Sequence, residues 1–416
     1  MKGILFDFNM AKVILSKIHL GGKNPIIRYR SDWPNPVLRY PNQVLVKTRL
    51  GGICVSDLHL LDLDVSYFAS ILGTPEKRFP MGHEVVGEVI QVGEEVLSLK
   101  AGDRVVYLPG AFCEAYGFKS CTSCRMGNME SCYSLAGVGD GSELESLYGG
   151  RGRFGGFGGG GYCESLVGFE KQFFKVPEEL SDEQAVLAEP LAVAIHAVSR
   201  HMPSDRENVV LIGAGIIGLM VIAAIRMLGL KCRLLTVARH SFQREAAERL
   251  GADEVIIESD RDQLYNRIAR LTGASLFKPI LGRGAVFGNS GPDILYDCVG
   301  TEVTIDDALH LIRSNGKIVI IGQSYTRTKK VDWSIQTYKE IEISGAFMYG
   351  LENINGKRAH AFEFALDFLK HDPERFRGLV THFFRIDDYK TAIETVRKKD
   401  RSGVIKAAFD FRINHG

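Results

Sequence analysis

The chain has 416 residues, more than one ordinary domain of roughly 100–200 residues would use, and its 51 Lys and Arg against 50 Asp and Glu give a net charge of +1. With no excess of either sign to steer it toward nucleic acid or an acidic surface, a small-molecule substrate is the expected partner. The most apolar run, Val209 to Ile225, is short and carries Gly213, Gly215 and Gly218, which argues against a membrane span.

In chain order, the opening "MKGILFDFNM" is broken at Asp7 and does not read as a secretory signal, so the cytoplasm is the expected compartment. Residues 40 to 107 alternate Val and Ile at period two between Gly, Asn and Asp, as in "NQVLVKTRLGG" and "HEVVGEVIQVG". This is the pattern of a β-rich domain. Within it "GICVSDLH" packs Cys54, Ser56, Asp57 and His59 into six positions. Four of the eight cysteines, Cys113, Cys121, Cys124 and Cys132, fall within 20 residues. In a reducing compartment that clustering points to metal rather than to disulfides. "YGGRGRFGGFGGGGY", residues 148 to 162, holds nine glycines in fifteen positions and reads as a surface loop. Cys163, Cys232 and Cys298 sit in apolar or strand-like surroundings and are given no role.

From about residue 183 the pattern becomes strand then helix, repeated: "NVVLIGAG" and "IIGLMVIAAIRMLG", "CRLLTVA" and "SFQREAAERLG", "PDILYDCVG" and "TIDDALHLIRSNG", then "KIVIIG". Such alternation predicts an α/β unit, a doubly wound parallel sheet of Rossmann type. Its first turn, "GAGIIG", matches G-x-G-x-x-G at Gly213, Gly215 and Gly218, with Ile217 inside it. The context, a strand before and an uncharged helix after, is the one in which these glycines accept a dinucleotide pyrophosphate. The second strand ends in Ala238 and Arg239, where an acid would bond the adenosine ribose of NAD(H). A small residue beside a guanidinium suits a 2′-phosphate instead, so NADP(H) is preferred over NAD(H), with His240 and Arg244 as auxiliaries. A terminal helix, "AHAFEFALDFLK", and a strand, "GVIKAAFDF", are expected to pack back on the N-terminal domain.

Taken together, "GICVSDLH", "GHEVVGEV", the cysteine cluster, "AEPLAVAIHA", "GAGIIG", "DCVG" and "GVIKAAFDF" resemble the zinc-dependent branch of the medium-chain dehydrogenase/reductase superfamily, the alcohol and polyol dehydrogenases. The resemblance implies a GroES-like catalytic domain over 1–188, completed by 346–416, and a Rossmann domain over 189–345. It also implies an active site in the cleft between them, and a homodimer or homotetramer. A catalytic zinc takes about three thiolate, imidazole or carboxylate ligands and keeps one position open. Cys54 and His83 supply the first two, and Glu84 or Glu189 the carboxylate.

Asp57 fits the partner of the far nitrogen of His83. Ser56 and His59 match the family's proton relay, in which Ser56 takes the alcohol proton and the nicotinamide ribose hydroxyl passes it to His59. Lys406 matches a family position that reaches the cofactor pyrophosphate. The cysteine cluster resembles a structural zinc lobe, normally C-x₂-C-x₂-C-x₇-C, but the expected first cysteine falls at Phe118. Cys113, five residues earlier, takes its place only if "EAYGFKS" forms a larger loop, and Glu114 competes.

The expected activity is interconversion of a secondary alcohol and a ketone, on a polyol, sugar or cyclitol. The alternatives are an NAD-dependent enzyme of the same kind, a zinc-free quinone or enoyl reductase, and a non-enzymatic NADPH-binding protein.

Overall fold

The computed structural model of the chain describes residues 1–7, 11, 14, 27–62, 78–110, 112–115, 118–132, 160–322 and 328–413. Residues 148–159 of the glycine-rich stretch lie outside the described residues. Two units are present, Met1–Glu189 with Phe362–Gly416, and Pro190–Ala361. The expected boundary at 345/346 therefore moves to 361/362. The cause is a hairpin, Leu351–Ile354 with Lys357–His360, that stays with the second unit. Its buried Glu352 accepts from Ser199 (2.7 Å) and meets His196 Nδ1 (2.6 Å), both on the helix Ala188–Arg200.

The first unit is organised by the long strand Gln43–Ile53, whose Val44 and Val46 face one core cluster at the period of two that a pleated strand imposes. It pairs antiparallel with Glu84–Val92, Ser165–Phe169 and Lys406–Asp410. Arg104–Tyr107 and Phe173–Lys175 extend the sheet on one side, and Val380–Phe384 closes the other. The C-terminal strand thus completes the N-terminal sheet. Register matters here: Gly52 stands opposite Glu84, and Ala407 opposite Ile53. Three segments distant in sequence therefore end together, at Cys54, His83–Glu84 and Lys406.

In the second unit six strands are parallel, in the order Glu254–Ile257, Arg233–Ala238, Asn208–Ile212, Ile294–Asp297, Lys317–Ile320, Glu342–Gly345. The first strand in the chain is central and the order reverses beside it. That reversal opens a crevice at the carboxyl ends, where ligands of such sheets bind. Among the described residues no helix is long and apolar enough to cross a membrane.

A short hairpin, Leu276–Phe277 with Ala285–Val286, interrupts the alternation after the helix Arg261–Thr272 and was not signalled by the pattern. One buried lysine ties it down. Lys339 Nζ donates to the carbonyls of Val286 (2.9 Å), His310 (3.4 Å) and Ile312 (2.6 Å), so it caps the C-terminus of the helix Glu302–Leu311 and holds the hairpin to it. Burial brings the Lys339 pKa down to about 7, against the carbonyl cage that favours the ammonium. Because the folded value lies below the unfolded one, the unfolded chain binds more protons between about pH 7 and 10.5, and the contribution of Lys339 to stability rises with pH across that window. Urea unfolding of the wild type and Lys339→Met at pH 7 and pH 9 should show the wild type gaining stability relative to the variant at the higher pH. An unchanged difference would mean that Lys339 keeps its proton throughout.

Candidate metal centre and dinucleotide site

Cys54 follows directly on the strand Gln43–Ile53 and precedes the helix Val55–Asp62. His83 stands before the strand Glu84–Val92, reached through Gly82 at φ +87°, a left-handed conformation that suits glycine. Ligand atoms of Cys54, His83 and Glu84 all lie within 4.8 Å of one another. A thiol, an imidazole and a carboxylate at that spacing match the donor set and size of a three-ligand zinc site. Gly52 makes the arrangement possible: a Cβ there would lie 2.2 Å from Glu84 Oε2 and 3.1 Å from Lys406 Cε.

Glu189 is buried but lies outside that group of donors. It acts on the site by charge, helping to hold the proton on Lys406. Lys406, matched in sequence to a pyrophosphate contact, has a different partner in the structure. Its ammonium is fully buried, pairs with Glu84 Oε2 and donates to Ile53 O at 3.1 Å. Burial would lower its pKa, but Glu84 and Cys54 more than offset that and raise it.

Asp57 lies on the buried side of the helix Val55–Asp62. One oxygen faces His83 Nδ1 at 3.5 Å, and the other accepts the Cys54 N–H (3.2 Å) and the Tyr162 hydroxyl (2.5 Å). Burial alone would push the Asp57 pKa up, yet His83, Tyr162 and the Cys54 amide lower it and keep a carboxylate. For His83 the balance is similar: burial disfavours the cation, while Asp57 and Cys54 raise its pKa well above the ordinary value. An imidazole must be neutral to ligate a metal, so a cation at this place would displace that proton. Ser56 and His59, three residues apart on the same short helix, are both half-buried and share a face. Tyr162 was not singled out in the sequence. Its only signal is an aromatic residue closing a glycine run.

The four cysteines of the cluster gather, with one sulfur of each within 4.8 Å of the others and Cys113 Sγ 3.6 Å from Cys132 Sγ. Cys121 caps the short helix Thr122–Arg125, Cys124 lies in it, and Cys132 ends the turn Met129–Ser131. Cys113 does reach the group despite its displaced position, and the Phe118 N–H donates back to Cys113 O (2.9 Å). Hydrogen bonding with Cys132, then burial, holds the Cys124 proton far above the ordinary thiol range. Four sulfurs so placed suit a divalent thiophilic cation better than four protons.

In the second unit, Gly213 has φ +99°, and a Cβ on Gly218 would lie 1.9 Å from Gly213 O. Gly215, the N-cap of the helix Ile216–Met227, has open space where its Cβ would stand, which leaves the amides of that end free to meet an anion. Ile217 is half-buried in the first turn. Ala238 is buried at the end of the second strand, and the Arg239 side chain is exposed beyond it. Gln243 accepts from the Arg239 and His240 amides (3.3 and 3.2 Å), while the His240 ring stacks on Phe242. Arg244 pairs with Glu248 on its own helix (3.5 Å). The turn 238–241 carries no acid.

Residues 40–178 match the alcohol dehydrogenase GroES-like domain, and residues 217–370 the zinc-binding dehydrogenase domain. The chain is 28% identical over 358 residues to L-idonate 5-dehydrogenase of Vitis vinifera, covering 85% of each. It is 26% identical to D-arabinitol dehydrogenase 1 of Uromyces fabae, over 86% of this chain and 88% of that one. In fold it is similar to galactitol-1-phosphate dehydrogenase of Escherichia coli, with a TM-score of 0.71 at 19% identity, covering 99% of this chain and 100% of that one.

Elemental analysis should find two zinc ions per chain in the wild type and one in Cys121→Ser, with a lower Tm in the variant because a structural zinc contributes folding energy. One ion per chain in the wild type would leave the cysteine lobe a bare loop.

Proposed function

As the chain belongs to the zinc-binding alcohol and polyol dehydrogenases with a GroES-like domain, we propose that it moves a hydride between NADP(H) and a secondary carbinol of a polyol, sugar or cyclitol. The observation that carries the reading is the convergence of Cys54, His83 and Glu84 at the end of one sheet, with Asp57 behind the imidazole. The polyol class is supported by relatives whose names specify idonate and arabinitol.

When bound, zinc supplies a Lewis acid that lowers the pKa of a carbinol, and the nicotinamide supplies the hydride acceptor. The side chains of this protein do the rest. Cys54 and His83 provide two ligands, and Asp57 holds the imidazole with Nδ1 toward itself, leaving Nε2 for the metal. Glu84 stands as the carboxylate ligand or as a countercharge held by Lys406. Ser56, two residues from Cys54 on the half-exposed face, relays the carbinol proton by giving up its own hydroxyl proton as it accepts that one, and His59 on the same face takes the relayed proton and releases it to water.

Preference for NADP(H) rests on Ala238 and Arg239. The buried methyl leaves room for a 2′-phosphate, and the exposed guanidinium meets it with charge-assisted hydrogen bonds worth roughly 1.5–3 kcal/mol. That is about a ten- to hundredfold preference. Screening polyols, sugars, cyclitols and simple alcohols with both cofactors, with and without chelator, should show chelator-sensitive reduction of NADP⁺. Arg239→Ala should lose about that factor in kcat/KM for NADP⁺ and little for NAD⁺. Equal or better use of NAD⁺ by the wild type would overturn the cofactor assignment. Cys54→Ala should remove one zinc per chain and abolish turnover; retained turnover would contradict the metal's role.

A further inference from the structure

The carboxylate behind His83 has a second anchor that neither the family match nor the proposed function uses. Tyr162 is buried, and its hydroxyl donates to Asp57 Oδ2 at 2.5 Å. That oxygen also accepts the Cys54 amide at 3.2 Å, while Oδ1 faces His83 Nδ1 at 3.5 Å. Both oxygens are therefore engaged, and the carboxylate cannot rotate toward or away from the imidazole without breaking a bond to the phenol or to the Cys54 backbone.

The phenol itself is clamped. The Tyr162 amide donates to Met81 O (3.0 Å), its carbonyl accepts from Ile4 N–H (2.9 Å), and its ring packs edge-on against Phe409 at 4.9 Å between centroids. A Cβ on Gly82 would lie 2.5 Å from the same ring. Tyr162 thus grips the backbone two residues before His83 and, through Asp57, the His83 side chain. An ionised carboxylate only accepts hydrogen bonds, and a buried one needs donors. Phenylalanine would fill the same volume and leave Asp57 Oδ2 with the Cys54 amide alone.

We propose that Tyr162 is a positioning residue for the metal-ligating imidazole: its hydroxyl fixes Asp57, and Asp57 in turn fixes the ring orientation and tautomer of His83. The proposal rests on the reading of Cys54 and His83 as metal ligands. Partners one step behind a ligand typically change metal affinity 10–100-fold; for a residue one step further back, the lower end, about tenfold, is expected.

The test is Tyr162→Phe in the full-length protein, read by the rate at which the Cys54–His83 metal passes to a chromogenic chelator and by the visible spectrum of the cobalt-substituted protein. The expected result is metal loss about tenfold faster than in the wild type, an altered cobalt band for that site and an unaltered one for the cysteine lobe. In an Asp57→Asn background, Tyr162→Phe should add little, because the route through which it acts is already cut. A variant with reduced Tm but wild-type metal release and cobalt spectrum would overturn the proposal and leave Tyr162 a packing residue. A full effect of Tyr162→Phe in the Asp57→Asn background would overturn it as well. Absence of any metal at Cys54 and His83 in the wild type would instead overturn the reading beneath it.

Discussion

Burying the carboxylates of Asp57 and Glu84 at one end of a sheet, beside the buried ammonium of Lys406, is the constraint on which the first unit depends. Asp57, Glu84 and Glu189 are all removed from water, and Lys406 is buried with them. An uncompensated buried charge is costly, of the order of several kcal/mol even after relaxation. The structure answers with specific partners: Lys406 for Glu84, and the Tyr162 hydroxyl, the Cys54 amide and the imidazole of His83 for Asp57. The same end of the sheet gathers a thiol, an imidazole and a carboxylate close together. A divalent cation would find its ligands there in Cys54 and His83.

Glycines carry the close approaches that this crowding demands. Gly52 admits the Glu84 carboxylate and the Lys406 stem, and Gly82 turns the chain into His83 while making room for the Tyr162 ring. In the second unit Gly213 makes the turn and Gly218 lets helix and strand meet, whereas Gly215 opens onto free space. Steric necessity at Gly218 and empty space at Gly215 are different reasons for the same residue type. Only the second speaks of a ligand.

Much of this was legible because the informative contacts are local. Cys54, Asp57, His83 and Glu84 announce themselves in two short stretches, and the dinucleotide turn is written in a dozen consecutive residues between a strand and a helix. What escaped depended on contacts distant in sequence. The partner of Lys406 follows from antiparallel register between segments more than 300 residues apart, and Tyr162 meets Asp57 across 105 positions. No spacing rule reaches that far. Cys113 was ambiguous because ligand counting assumes a fixed loop length, which a bond such as that from Phe118 N–H to Cys113 O does not respect. The hairpin between 345/346, where a boundary is expected, and 361/362, where the units divide, makes its contact with the helix Ala188–Arg200 through buried Glu352, which no local pattern announces.

The eight residues of the helix Val55–Asp62 show how so many chemistries fit in so little sequence. At 3.6 residues per turn, Ser56 and His59 fall on a partly exposed face, while Asp57 turns inward with Leu58 and Leu61. Cys54, immediately before the helix, lies at neither face but at the end of the strand. The strand end, the buried face and the half-exposed face therefore present different groups: a thiol, a carboxylate, and a hydroxyl with an imidazole. The division is geometric: shifting Ser56, Asp57 or His59 by a single position along the helix would rotate it by about 100° and move it to another face.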